Sequence, residues 1–337
     1  DAKKYVPSYM LDPNRMDVSH LYFNTYNVEI KGSDMKQYKN YPYGVICVFD
    51  NKKWVPVDFG KVTDGVFHFQ NMIGDVCYMA GFYVNGTFIS ATEPFVLTKS
   101  GEVKLIQCYT KNHVDMRLVR KYPKFTRISS FRKGLLGSKI EVSDDREFSS
   151  GRTLITIDEL GNEDIFDSIV TVNRPYRYVR LVFDEQKEGN LAEIEFYGKK
   201  RGTNVEVLLT GGFSGEPIKQ TKTNWTMALD RSFDTYFKKN KGEKSNICLD
   251  LGKDNSYEIT RVRYVPQTDS NFIVPGNQYR LEYWDNSSWN FFGEQIATDF
   301  SLSFSNVPAD RLYILHNLTN GVEERIFTYE DDKQVWW

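Results

Sequence analysis

The chain has 337 residues, with 43 basic and 45 acidic side chains and a formal charge of −2. That balance argues against a general nucleic-acid binder, which needs a basic excess or stripe. Apolar residues at 40% and charged residues at 26% argue against a disordered or membrane-embedded chain.

Residues 1–17 read as an extended lead-in. No basic stretch followed by an apolar run opens the chain, so any signal peptide is expected to have been removed. The longest apolar runs, such as Tyr43 to Phe49, fall short of the roughly 20 residues a membrane helix needs.

Residues 18–106 alternate short strands with turn signals. The predicted strands are Asn27–Ile30, Tyr43–Asp50, Trp54–Asp58, Val66–Phe69, Asp75–Val84, Thr87–Ser90, Phe95–Leu97 and Val103–Ile106. Asp64-Gly65 and Asn85-Gly86 are dipeptides that accept the left-handed backbone of tight hairpin turns. The expected fold here is an Ig/prealbumin-like β-sandwich. Residues 107–124 are expected to form a linker, 125–200 a second β unit and 201–337 a third, with the charged run Lys199-Lys-Arg-Gly202 at the boundary. Nowhere does apolar spacing hold a helical period for three turns, so helices should be short and few. The fold class is all-β, and an aromatic content of 15% fits it, because aromatics favour strands.

Cys47, Cys77, Cys108 and Cys248 show no CxxC spacing, which leaves nothing for a zinc or thioredoxin site. Four small buried hydrophobes is the plain expectation, and a Cys47–Cys77 bridge is the alternative.

Two segments echo each other. Residues 140–148 and 281–289 both read apolar-Glu-apolar-x-Asp, then an aromatic four residues after the Asp. Farther on, Tyr176–Phe183 parallels Arg311–Leu318, and Glu193 and Phe196 match Glu324 and Phe327. Two matches in the same order point to a diverged repeat.

Ala228-Leu-Asp-Arg-Ser-Phe-Asp-Thr-Tyr-Phe237, followed by Ile247-Cys-Leu-Asp-Leu-Gly252, resembles the A-x-D-G-x-x-x-T-x-W … D-L-G signature of discoidin-type (F5/8 type C, galactose-binding-like) modules. Arg231 stands where that family has Gly. The resemblance covers residues 205–329, while 125–198 resembles only the back half of such a module. It implies a discoidin-like jelly roll at 201–337 after a partial one at 125–200. More loosely, Arg120-Lys-Tyr-Pro123 and the chain's last residues look like secreted proteins of gut Bacteroidetes. In some of these an upstream transglutaminase-like domain precedes the β modules. Both resemblances imply an extracytoplasmic location.

By position in the family, Asp230, Thr235 and Glu324, with Asp234 added, would hold a structural calcium, which wants six to eight oxygens. A sugar site needs an aromatic face for the pyranose C–H face and planar polar groups for its hydroxyls. The loops offering both contain Trp225, Asp269, Asn271, Phe272 and Trp289. No nucleophile elbow, zinc-protease motif or phosphate loop occurs, and His316 reads as a satisfied sheet residue. The expected function is non-catalytic binding of a glycan or glycoprotein. The alternatives are modules that support or target a transglutaminase-like hydrolase, and a glycan hydrolase with a carboxylate pair about 5–10 Å apart in a cleft.

Overall fold

Asp64-Gly65 and Asn85-Gly86 both take left-handed backbone, with φ of 51° and 77° in the first and 51° and 80° in the second. Such turns match the twist of the strands they join, and each sets a hairpin of the first sheet. The structure is a computed structural model that describes residues 24–337 apart from 34, 51, 125–127, 162, 217–222, 256, 286 and 322–323. The expected lead-in over 1–17 lies outside the described residues.

The strands in chain order begin with β1 (Thr25–Lys31), β2 (Tyr43–Asp50), β3 (Lys53–Thr63), β4 (Val66–Ile73) and β5 (Val76–Val84). Next come β6 (Thr87–Ser90), β7 (Phe95–Leu97), β8 (Val103–Leu105) and β9 (His113–Leu118). After the helix α1 (Ile128–Lys133) follow β10 (Lys139–Ser143), β11 (Arg152–Thr156), β12 (Phe166–Ile169), β13 (Tyr178–Val182) and β14 (Gly189–Lys200). Then come β15 (Glu206–Leu208), β16 (Gly212–Glu216), β17 (Phe237–Lys239), β18 (Asn246–Asp250) and β19 (Tyr257–Pro266). The chain closes with β20 (Gln278–Asp285), β21 (Ser288–Ile296), β22 (Leu302–Pro308), β23 (Tyr313–Asn317), β24 (Phe327–Glu330) and β25 (Lys333–Trp336). The fold is thus almost all β, in antiparallel sheets with a sandwich-like arrangement. Among the described residues no helix is long and apolar enough to cross a membrane.

The chain divides into two compact units, one of residues 1–123 with 272–337 and the other of residues 124–271. In the first unit, the sheet β1-β4-β3-β2-β5-β7-β8 curls around Val28, Phe67, Phe69, Phe82 and Phe95. A second sheet, β21-β20-β23-β24-β25, and the pair β22-β9 enclose Met116, Leu118, Tyr279, Leu281, Leu315 and Phe327. A third cluster joins Cys77, Met79 and Val96 to Trp284, Leu312 and Ile314. The sheets therefore share a core because β5 and β23 are buried on both faces, β5 through an almost wholly apolar run and β23 through Tyr313, Ile314 and Leu315.

In the second unit, the sheets β11-β10-β13-β18-β16 and β12-β19-β14-β15 sandwich one core of Ile140, Leu181, Leu249, Ile194, Phe196 and Val262. The boundary expected near residue 200 falls inside this unit. Lys199-Lys-Arg-Gly202 is a hairpin turn: Thr203 N–H donates to the Lys200 carbonyl at 2.9 Å, and β14 pairs with β15 through Tyr197↔Leu208. Its charges are solvated because it is a turn. The expected linker at 107–124 also contains a strand, since β9 pairs with β22. Both matched segments place the same strand pair in a sheet, with Ile140 opposite Leu181 and Leu281 opposite Leu315.

Candidate functional site

On β20, Tyr279 and Leu281 point into the core, so the period of two sends Arg280 and Glu282 to the other face. Arg280 lies directly opposite His316 of β23. Along this face the apolar cluster of Trp284, Leu312 and Ile314 gives way to charge. A pocket of about 380 Å³ opens there, lined by Arg280, Glu282, Trp289, His316 and Asn317, with Phe49, Lys52 and Glu324 at its sides. That volume lies at the small end of ligand pockets.

The imidazole of His316 is clamped between two carboxylates: Nε2 lies 3.3 Å from Glu282, and Nδ1 lies 2.7 Å from Glu324. Lys52 Nζ stands 3.4 Å from the second oxygen of Glu324. Burial pushes the Glu324 carboxyl up, but the His316 hydrogen bond and the His316 and Lys52 charges outweigh it and hold it below the ordinary range. Arg280 is anchored through Nε and Nη2 to Glu294 at 2.7 and 2.6 Å. The aromatic wall is equally fixed, with Trp289 edge-on to Phe49 at 5.2 Å and to Trp284 at 5.5 Å. Rigid planar donors and acceptors beside an aromatic face can grip a small polyhydroxylated ligand without ordering side chains first.

Of the five expected ligand contacts, Trp289 lines this pocket; Trp225, Asp269, Asn271 and Phe272 do not. Trp225 opens a 3-10 turn capped by the Asn224 side chain and packs on the core of residues 124–271. The Asp269 carboxylate accepts from the Asn271 amide at 3.1 Å, and Asn271 is buried. Phe272 is 2% exposed, its ring 6.2 Å from that of Phe300. These four build turns and core. The pocket residues Arg280, Glu282 and His316 were absent from the expected set. Their signal is the alternation Gln278-x-Arg280-x-Glu282 on a strand, which marks a polar face.

Around Asp230 the expected oxygen donors converge in part. The Asp230 carboxylate accepts from the Ser232 amide at 2.9 Å and from the Thr235 hydroxyl at 2.8 Å. That hydroxyl also lies 3.2 Å from the Ser232 carbonyl and 3.5 Å from that of Met227. Arg231 adopts φ of 62°, a conformation glycine reaches freely and arginine at a cost. Its N–H is thereby aimed at Glu193, 2.8 Å away. Glu193 is thus the carboxylate that reaches this loop, whereas Glu324 is engaged by His316 and Lys52, and the Asp234 side chain is exposed. Among the described residues, no group of three or more His, Cys, Asp or Glu is arranged to hold a metal ion. The donors at this loop are instead two carboxylates, a hydroxyl and carbonyls.

All four cysteines are free and buried, so the Cys47–Cys77 alternative is not realised. Comparison with family models, with curated proteins and with solved structures gives no match.

Proposed function

We propose that the chain is a non-catalytic glycan- or glycoprotein-binding protein that works outside the cytoplasm. Its sugar site would be the pocket around Trp289. What supports this is the placement of Trp289 and Phe49 beside Arg280, Glu282, His316 and Asn317 in one small cavity. The aromatic rings offer a face to pyranose C–H groups, and the planar polar groups offer paired bonds to hydroxyls.

Residues 124–271 would form a discoidin-like module with its halves in reversed order, the back half at 125–198 preceding the front half at 228–252. Both halves contribute to the same core. A calcium ion would fit the loop through Asp230, Thr235, the Met227 and Ser232 carbonyls and Glu193, which replaces Glu324 in the expected set.

The test is a glycan array probed with the whole chain, with calcium and with chelator. Selective binding should be lost in Trp289→Ala and in Arg280→Ala, the latter removing a side chain that is 40% exposed and tolerant of change. A blank array from folded protein would favour modules that support a transglutaminase-like hydrolase, and release of reducing sugar would favour a glycan hydrolase.

A further inference from the structure

The outer face of the sheet β11-β10-β13-β18-β16 carries a trough of about 500 Å³. It arises from small residues in register. Arg180 of β13 is opposite Cys248 of β18, which is opposite Ser214 of β16; one step along, Tyr178, Asp250 and Gly212 form the next row. A Cβ on Gly212 would find its nearest neighbour 3.9 Å away, so neither a turn nor a close approach demands glycine there. The missing side chain is simply open space.

One wall is aromatic and held in place. Phe148 has φ of 55°, a costly conformation for a bulky residue. The preceding turn holds it there: the Asp145 carboxylate accepts from the Glu147 amide at 3.1 Å and the Ser149 amide at 2.9 Å, and the Asp145 carbonyl accepts from Phe148 N–H at 3.1 Å. The Phe148 ring lies 3.8 Å from the Arg180 guanidinium. Arg180 spends Nε and Nη2 on Glu141, at 2.9 and 2.8 Å, which leaves Nη1 for a ligand.

We propose that this trough is a second binding site, separate from the Trp289 pocket, for a neutral extended polysaccharide chain. Charge disfavours an anion and favours a neutral ligand: Arg180 is paired with Glu141 and Asp250 with Arg177, while the lining adds one further arginine, Arg146, against two carboxylates, Glu147 and Glu216. Topology favours sugar over peptide. β13 and β18 are hydrogen-bonded to strands on both sides, so the floor of the trough offers side chains; only β16, the edge strand, could take an added strand, and that strand would lie beside the trough and not across it. The Asn246 amide, the Arg180 guanidinium and the carboxylates beside the Phe148 and Tyr178 rings suit hydroxyls and pyranose rings.

The experiment is native electrophoresis of the whole chain through gels containing hydroxyethylcellulose, mixed-linkage β-glucan, xylan or galactomannan, with dextran sulfate as the anionic arm. At least one neutral polymer should retard the chain. Ser214→Tyr, which fills the trough from an exposed position, should weaken that binding at least tenfold, as should Gly212→Val, each checked for an unchanged circular dichroism spectrum. Neither filled variant should change the glycan-array binding assigned to the Trp289 pocket, which separates this site from the pocket proposed above. Undiminished binding by both filled variants, retardation by dextran sulfate alone, or retardation by no polymer would overturn the proposal.

Discussion

Replacing Glu193 by glutamine should change how the stability of residues 124–271 depends on pH. Glu193 is 4% exposed in the folded chain, and its carboxyl is pushed up to about 8. Burial is the main cause; the Arg231 amide pulls the other way, and the charges of Glu195 and Asp230 add to the rise. In the unfolded chain the same group titrates near ~4.3. The folded state therefore keeps a proton that the unfolded chain gives up. Stability is full below about pH 4.3, falls by up to ~1.4 kcal/mol per pH unit above it, and levels off near pH 8. Between about pH 4.3 and pH 7 the loss is about 3 kcal/mol, a large share of the ~5–15 kcal/mol that holds a domain folded.

Glutamine keeps an acceptor for the Arg231 amide and cannot ionise. The variant should match the wild type near pH 4.5 and exceed it by about 3 kcal/mol at pH 7. Native-state hydrogen exchange read by mass spectrometry on peptides from β10, β13 and β18 reports this unit by itself. After correction for intrinsic rates, exchange in the variant at pH 7 should be roughly 100-fold slower than in the wild type. Calcium offers a second arm, since a bound cation needs the carboxylate form. Its stabilisation of the wild type should grow from pH 5 to pH 8 and be much weaker in Glu193→Gln. Parallel pH curves for the two proteins would refute the burial reasoning, and equal calcium stabilisation would remove Glu193 from the ligand set.

Three further outcomes follow from single contacts. Lys239 is fully buried, and its ammonium donates to the carbonyls of Asp184, Glu185 and Lys187 at 2.7, 3.1 and 2.6 Å; Lys239→Met should orphan all three and cost about 3 kcal/mol in chemical denaturation. Because the Glu324 carboxyl is held below its ordinary range, the stability it contributes is present above its unfolded value and lost as pH falls through the folded one; Glu324→Gln should flatten that acid limb and lower stability at pH 7, seen in exchange of β23 and β24 peptides. Burial pushes the thiols of Cys47 and Cys77 well above the ordinary range, and that of Cys248 up to about 11, so a thiol reagent should label none of the four cysteines quickly in the native chain and all four after unfolding without reductant.

Local structure was legible because it is written locally. Turn dipeptides act within four residues, and alternation shows within one strand, so Tyr43–Asp50, Thr87–Ser90 and Phe95–Leu97 are bounded in the structure as the sequence predicts. Even β9 is readable, since His113-Val-Asp-Met-Arg-Leu118 alternates strictly and buries Met116 and Leu118. Its partner is β22, with Leu118 opposite Leu302, and no local pattern announces a partner that far along the chain. The linker reading of 107–124 and the boundary near 200 share this cause: charge and turn residues mark solvent exposure, which hairpins and linkers have equally.

The candidate sites divide along the same line. Aromatics beside polar residues drew attention to Trp225, Phe272 and Trp289, but whether an aromatic faces a cavity or a core depends on what the fold packs against it. Trp289 sits at the end of an apolar cluster where Arg280 and His316 begin, while Phe272 lies within the core. Glu193 and Glu324 make the point most sharply, since the sequence matches them and both are carboxylates drawn out of water, yet β14 lies in the sheet that faces β13 whereas β24 pairs with β23. Their fates differ through their neighbours: the left-handed Arg231 aims only a backbone amide at Glu193, whereas β23 places an imidazole on Glu324 and Lys52 adds its charge. A neutral amide leaves the first carboxyl with its proton near neutral pH, whereas His316 and Lys52 keep the second ionised. Two glutamates matched in the sequence thus come to opposite electrostatic ends, because one is buried beside a neutral amide and the other beside an imidazole and an ammonium.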